Sequence, residues 1–157
     1  MSNFLDRTTA KLGTKAEDIV GSEFIMSKGY EPYSPAFSGA HTIDFNAFSA
    51  GTHCFNLDVK CKSRFVYIPF TGIDKRDVEK YNALSKPTYL LFVDPASCEV
   101  YGQWLQKLNH QPSKEFAGGK GSNERVITWP LSGMTHYRYL TETECNELKE
   151  YEQSNYR

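Results

Sequence analysis

Apolar and polar residues alternate over residues 42–62, and this alternation predicts a β-hairpin. The predicted strands are Thr42–Phe48 and His53–Lys62, joined by a turn around Gly51. Every other side chain of the second strand is apolar, and its polar face carries Asn56, Asp58, Lys60 and Lys62. Three charges on one face of a strand whose other face is apolar require an explanation.

The apolar faces of the two strands fix the register of this hairpin. Matching them pairs Phe45 with Leu57, whereas a slip by one residue would turn the apolar side chains towards the charged face. This register places Asp44 directly opposite Asp58. Like charges in such positions destabilise an antiparallel pair, so Lys60 or a bound divalent cation is expected to compensate.

The rest of the chain predicts an α/β (α+β) protein with a central mixed sheet flanked by helices. Helical spacing and capping residues predict helices over Thr14–Lys28, from Asp74 as N-cap to about Leu84, and after the capping box at Thr141 to about Tyr151. Further strands are predicted over Phe65–Phe70 (or an extended segment), Thr88–Asp94, Glu99–Leu105 and Val126–Trp129. The second of these is almost wholly apolar, which is typical of a strand buried on both faces.

Length and composition predict one domain over residues 1–157. Its composition predicts a flexible loop over 106–125, followed by a strand and helix extension over 126–157. No apolar run has the length of a membrane span and residues 1–13 lack the apolar core of a signal peptide, so we expect a cytoplasmic protein without a membrane partner. The four cysteines form no CxxC motif and are predicted to be reduced thiols.

The acid-x-Lys triplet of the second strand is a weak motif by itself, because a second triplet, Glu147-Leu148-Lys149, lies on the predicted last helix. Only the first triplet has a strand context and an acidic partner on the neighbouring strand. Together with an early helical glutamate, this arrangement resembles the PD-(D/E)xK nuclease superfamily. The stretch GTKAEDIVGSEFIMSKGY is similar to the first helix of its Holliday-junction-resolvase-like members.

The resemblance implies a restriction-endonuclease-like αβββαβ core over residues 13–105. It also implies a metal-dependent DNA endonuclease, with branched or structured DNA as a candidate substrate. It implies Mg²⁺ (or Mn²⁺) as the cofactor, four catalytic residues, and a metal site at Asp44, Asp58, Val59 and Glu17. The catalytic residues would be Glu17, Asp44, Asp58 and Lys60. Ile43 stands where the family name has proline, and Glu23 is the rival of Glu17 for the helical acid.

Residues 59–86 contain seven basic and three acidic side chains, although the whole chain has a net charge of -1. This segment supplies the candidate contacts to the DNA backbone, namely Lys62, Arg64, Lys75, Arg76 and Lys80. A homodimer would permit symmetric cutting, with Val126–Trp129 or the last helix as the candidate interface. The alternative function is a catalytically silent module of nuclease fold that binds DNA or a protein partner.

Overall fold

The computed structural model describes residues 8–34, 43–118 and 124–153. These residues form an α+β fold with a six-stranded mixed sheet and a smaller, three-stranded antiparallel sheet. The elements follow the chain in the order α1 (Thr8–Ser27), β1 (Glu31–Tyr33), β2 (Phe45–Ser49), β3 (Thr52–Cys61), β4 (Phe70–Asp74), α2 (Lys75–Asn82), β5 (Thr88–Asp94), β6 (Glu99–Trp104), α3 (Leu105–Leu108), β7 (Lys114–Ala117), β8 (Arg125–Pro130), β9 (Thr135–Tyr139) and α4 (Glu142–Gln153).

The six-stranded sheet has the order β1-β2-β3-β5-β6-β9. Strands β3 and β5 are parallel, and the other neighbouring pairs are antiparallel. All seven residues of β5 are buried, which confirms the prediction of a central strand covered on both faces. In the parallel pair Asp58 lies beside Leu90 and Lys60 beside Phe92, so the charged residues of β3 share a face with a buried apolar row.

The core has two parts, one on each face of the large sheet. On one face α1 and α4 pack against alternate residues of β3, including Phe55, Leu57 and Val59. On the other face Leu90 and Phe92 pack against residues of α2, α3 and the small sheet. No helix within the described residues is long and apolar enough to cross a membrane.

The predicted hairpin and its register are confirmed. Phe45 pairs with Leu57, and a bulge between Ala47 and Phe48 precedes the turn. The turn residues Ala50 and Gly51 both have positive φ, of 50° and 79°. The first strand is shorter than predicted, since it begins at Phe45; the predicted first residue Thr42 lies outside the described residues.

The apolar run over residues 65–70 does not form the predicted strand. The sequence predicts either a strand or an extended segment over this run, and the strand is wrong because β4 begins only at Phe70. The side chains of Val66 and Tyr67 are almost fully exposed. An apolar run predicts burial only when a surface is available to cover it, and here none of the described residues covers these two side chains. Strand β4 joins the small sheet, whose order is β4-β8-β7.

The prediction of a flexible loop over residues 106–125 is wrong for the middle of this range. Lys114–Ala117 forms β7, which pairs with β8 although its sequence, Lys-Glu-Phe-Ala, has no alternation of apolar and polar residues. Backbone pairing with a neighbouring strand has overridden the weak local propensity. Strand β8 therefore lies in the middle of the small sheet, where both of its edges are paired, so the Val126–Trp129 segment is not available for pairing with a second copy.

The prediction of four reduced cysteines is wrong for two of them. Cys98 and Cys145 form a disulfide between the turn after β5 and the beginning of α4, with Cα atoms 5.6 Å apart. The two residues are separated by 47 positions, and only the packing of α4 on the sheet brings them together. Cys54 and Cys61 carry thiol groups.

Candidate active site at the start of β2

Asp44 lies at the edge of β3, immediately before the neighbouring strand β2 begins at Phe45. Its backbone N–H donates a hydrogen bond to the Leu57 carbonyl over 3.2 Å. Its carboxylate then accepts a 2.6 Å hydrogen bond from the Val59 N–H. The side chain of Asp44 thus takes the place of the main-chain acceptor that a longer β2, extended to residues before Phe45, would have offered to Val59.

Asp58 and Lys60 lie on the face of the sheet that is covered by α2. Asp58 is buried, with 3% of its surface exposed, and its Oδ2 lies 3.2 Å from the Lys60 Nζ. The alignment of this ion pair is too poor for a hydrogen bond, so Oδ2 accepts none within the described residues. Lys60 donates instead to Asp77 Oδ2 over 3.3 Å, and the Tyr81 hydroxyl lies beside the Asp58 carboxyl.

Glu17 projects from α1 towards the same point. Its carboxyl group lies within hydrogen-bonding reach of Asp44, and the charges of Asp58 and Lys60 also act on it. The rival helical acid, Glu23, lies elsewhere: it accepts hydrogen bonds from Tyr137 and Arg138 of β9. The structure therefore brings Glu17, Asp44, Asp58 and Lys60 together and keeps Glu23 away from them.

Burial and mutual repulsion make these carboxyl groups poor acids. Burial, together with contact with Glu17, raises the pKa of Asp44 to about 7. Burial raises the pKa of Asp58 to about 8, although the nearby Lys60 charge opposes the rise. Burial likewise raises the pKa of Glu17. For Lys60, burial acts to lower the pKa, but the charges of Asp58 and Asp77 outweigh it and raise the pKa.

The donor set suits a hard divalent cation. Three carboxyl groups from separate elements converge, and Asp58 contributes a buried oxygen without a hydrogen bond. The Val59 carbonyl adds a further oxygen, because the N–H and C=O of one strand residue point to the same edge. Among the described residues, however, no group of three or more His, Cys, Asp or Glu side chains is already spaced to hold an ion. The chemistry of the site thus fits Mg²⁺ or Mn²⁺, while its side chains would have to close around the ion.

Three of the five basic residues predicted to contact DNA have carboxylate partners within the protein. Arg64 donates to Asp94 and Glu99, Lys75 pairs with Glu115, and Arg76 pairs with Glu124. Lys62, two residues beyond Lys60, is half-buried, and this burial lowers its pKa. Lys80 is exposed on α2. The structure therefore leaves Lys62 and Lys80 as the predicted phosphate contacts without an ion-pair partner in the part of the chain that it describes.

Sequence reasoning missed two residues of this site, Asp77 and Tyr81. They lie four positions apart on α2, so they share one face of the helix and both reach the charged face of β3. Their spacing is visible in the sequence. What the sequence does not show is that α2 packs over the polar face of the hairpin.

No protein-family model matches the chain, and no curated protein sequence is similar to it. A structural comparison aligns it with a solved structure described as D212, a nuclease from a fusselovirus. The alignment has a TM-score of 0.49 and 18% sequence identity, and it covers 91% of this chain and 95% of that chain. Similarity at this level carries no argument about activity.

Proposed function

We propose that the protein is a metal-dependent phosphodiesterase acting on nucleic acid. The observation that carries this proposal is the convergence of Glu17, Asp44 and Asp58 beside Lys60 at an open sheet edge. A binding module has no need for three carboxyl groups whose mutual repulsion disfavours ionisation, whereas carboxylates placed in this way can hold a cation that accelerates hydrolysis of a phosphodiester. More specifically, we propose a DNA endonuclease of PD-(D/E)xK type.

Asp44, Asp58 and the Val59 carbonyl would hold Mg²⁺ or Mn²⁺, and Glu17 would orient water beside it. When bound, the cation would act as a Lewis acid and lower the pKa of a coordinated water. The approach of a cation would displace Lys60 from Asp58 or share that carboxylate with it.

Lys60 supplies a positive charge on the same side of the site. Its amine is held by Asp77 over 3.3 Å and by Asp58 over 3.2 Å, so its position is fixed by two carboxylates. A lysine held in this way can donate a hydrogen bond to the attacking water or to a phosphate oxygen that gains negative charge. Lys62 and Lys80 are the proposed phosphate contacts beyond the reacting group.

Cleavage assays on matched variants test this proposal. We would incubate the wild type, Glu17→Gln and Asp58→Asn with labelled duplex, single-stranded and four-way-junction DNA in Mg²⁺, Mn²⁺ or EDTA. Cleavage should require the metal, and each substitution should slow it by about 100-fold or more. The preferred substrate among the three identifies the shape that the enzyme recognises.

Asp18→Asn is the matched control for Glu17→Gln, because Asp18 is exposed and its substitution changes the same charge one position along α1. It should cleave as the wild type does. Cleavage that survives Asp58→Asn would remove this site from the reaction. Binding of DNA without cleavage in any metal would instead support the catalytically silent module.

A further inference from the structure

A cavity of about 410 Å³ lies on the opposite face of the large sheet from Asp58 and Lys60. We call it the aromatic pocket, after its walls, which are formed by Phe24, Tyr30, Phe55, Tyr89 and Trp104. Its volume falls within the range of small-molecule sites. Phe24 lies seven residues after Glu17, which corresponds to about 10 Å along α1. The pocket is therefore separate from the proposed active site.

The five rings form a connected set. Trp104 meets Phe55 and Tyr89 edge-to-face, each with ring centroids 5.1 Å apart. Tyr30 meets Phe55 in the same way at 5.1 Å. Phe24, Phe55 and Tyr89 are buried and form the floor, whereas Tyr30 and Trp104 are only partly buried. Each of the two partly buried rings leaves part of its surface open to the cavity, and a planar ring could stack there.

Two lysines, Lys28 and Lys107, line the same cavity. Among the described residues neither has a carboxylate within ion-pair distance, whereas Lys15, Lys60 and Lys75 each do. Aromatic pockets can also attract cations, but two adjacent ammonium groups oppose the entry of a third positive charge. The charge of the pocket therefore selects an anionic ligand.

The end of α1 opposes this charge less than a helix end with free carbonyl groups would. A helix C-terminus normally presents free carbonyl oxygens that repel anions. Here the Phe24 carbonyl accepts from the Ser27 hydroxyl, and the Ile25 and Met26 carbonyls accept from backbone N–H groups of the following turn. The three carbonyls nearest to the pocket are thus already engaged.

Two polar side chains complete the lining. The Gln103 amide donates to the Gly133 carbonyl and accepts from the Trp104 N–H, which fixes the orientation of the amide and leaves one donor and one acceptor position available. The Thr135 side chain lies at the same cavity. An oriented amide beside an aromatic wall is suited to the hydrogen-bonding edge of a heterocyclic base.

We propose that the aromatic pocket binds a nucleotide, with its base stacked against Trp104 and Tyr30 and its phosphate at Lys28 and Lys107. The base would place its polar edge at Gln103. The ligand is either a free mononucleotide or the terminal nucleotide of a strand, because both present one base and one accessible phosphate. This site does not depend on the proposed cleavage reaction.

Titration of the protein with the four deoxynucleoside 5′-monophosphates tests the proposal. Calorimetry and ¹H–¹⁵N spectra would be recorded in EDTA, so that the acidic site contributes no metal-mediated phosphate binding. The chain has two tryptophans, and the indole N–H signal of Trp104 should move on binding while that of Trp129, which lies in the other core, should not. Nucleosides without phosphate should bind more weakly.

The charge-reversed variant Lys28→Glu/Lys107→Glu should bind mononucleotides about tenfold or more weakly. Lys149→Glu, an exposed lysine on α4, is the control and should bind as the wild type does. Tighter binding of a short single strand than of the mononucleotide identifies a strand end as the ligand; equal binding identifies the free nucleotide. Failure of all four mononucleotides to saturate, unchanged binding by the double variant, or movement of the Trp129 signal alone would overturn the proposal. Loss of DNA cleavage with retained nucleotide binding would contradict only the proposed function.

Discussion

The carboxylate of Asp44 accepts a 2.6 Å hydrogen bond from the backbone N–H of Val59. Asp44, a residue of the proposed metal site, therefore also completes the hydrogen bonding of β3, the strand that carries Asp58. The distance between β2 and β3 and the position of the Asp44 carboxylate are set by the same contact. Two substitutions of Asp44 can therefore separate its contribution to stability from its proposed part in cleavage.

Asp44→Ala should leave the Val59 N–H without its acceptor and lower the free energy of unfolding by about 1–3 kcal/mol. Asp44→Asn keeps an amide oxygen as acceptor and should remain close to wild-type stability, yet it loses the negative charge and should lose cleavage. Urea denaturation of both variants, with cleavage assays beside it, checks the two effects. Equal loss of stability in both variants would show that the charge, and not the acceptor, matters to the fold.

The stability of the metal-free protein should fall as the pH rises. Asp44 and Asp58 have pKa values of about 7 and about 8 in the folded state, above the value of about 3.9 for an unfolded aspartate. The folded state therefore binds protons more tightly. The stability that this tighter proton binding contributes is fully present below the pKa of an unfolded aspartate. It is lost as the pH rises through the pKa values of Asp44 and Asp58 in the folded state.

Thermal unfolding in EDTA between pH 4 and pH 9 measures this effect, and Asp58→Asn should flatten the profile. Mg²⁺ should raise the melting temperature more at pH 8 than at pH 5, because protons compete with the cation for the same oxygens. A pH profile that Asp58→Asn leaves unchanged would contradict the assignment of the titrating group.

Gly21→Ala should disturb the position of Glu17 without touching any acid. A Cβ at position 21 would lie 2.2 Å from Cε2 of Phe45, the residue that follows Asp44. Helix α1 or the Phe45 ring would have to move, at a cost of about 1–3 kcal/mol, and cleavage should slow. The control is Gly13→Ala on the same helix, where a Cβ has no atom within 4 Å; it should stabilise the protein by about 0.5–1 kcal/mol and leave cleavage intact.

Removing the disulfide should lower stability substantially. The bond between Cys98 and Cys145 closes a loop with a sequence separation of 47, for which chain entropy predicts a loss of about 4 kcal/mol. Thermal unfolding of Cys98→Ser/Cys145→Ser, and of the wild type with a reductant, measures the loss. Cys54→Ser should respond to the reductant as the wild type does, since Cys54 carries a thiol.

Lys62 and Arg64 should differ when each is replaced by alanine. Lys62→Ala should weaken DNA binding and reduce the slope of log affinity against log salt by about 1. Arg64→Ala should lower stability by about 2 kcal/mol, because it leaves the buried Asp94 carboxylate without its cation. DNA binding at several salt concentrations and urea denaturation distinguish the two variants. A loss of stability in Lys62→Ala and a loss of DNA binding in Arg64→Ala would contradict these assignments.

The hairpin register was predictable because both of its strands have an apolar face, and a single alignment buries both. The strand Thr88–Asp94 was predictable to the residue, since a wholly apolar run between turn residues leaves little choice. The position of Asp74 as the N-cap of α2 and the Thr141–Glu144 capping box are likewise local features, and both are present. The boundaries of these elements can therefore be predicted from local sequence.

Elements that depend on a partner were missed. Strand β9 has the sequence THYRY, without apolar alternation, and exists because it pairs with β6. Strand β1 contains Pro32 and has three residues at the sheet edge. The disulfide and the contact of Asp77 with Lys60 both join residues that become neighbours only when a helix packs on the sheet. Such contacts have no local signature.

The parallel pairing of β3 with β5 has a consequence for the order in which the molecule assembles. The chain must pass through β4 and α2 before β5 can add beside β3, so this pairing closes a loop of 26 intervening residues, 62–87, and is expected to form late in folding. Lys60 gains its contact with Asp77 only when α2 has docked in the same step. A chain in which only the hairpin of β2 and β3 has formed would therefore have Asp44 beside Asp58, while Lys60 would still lack its contact with Asp77. Recovery of DNA cleavage during refolding would then report the completion of the native structure rather than its beginning.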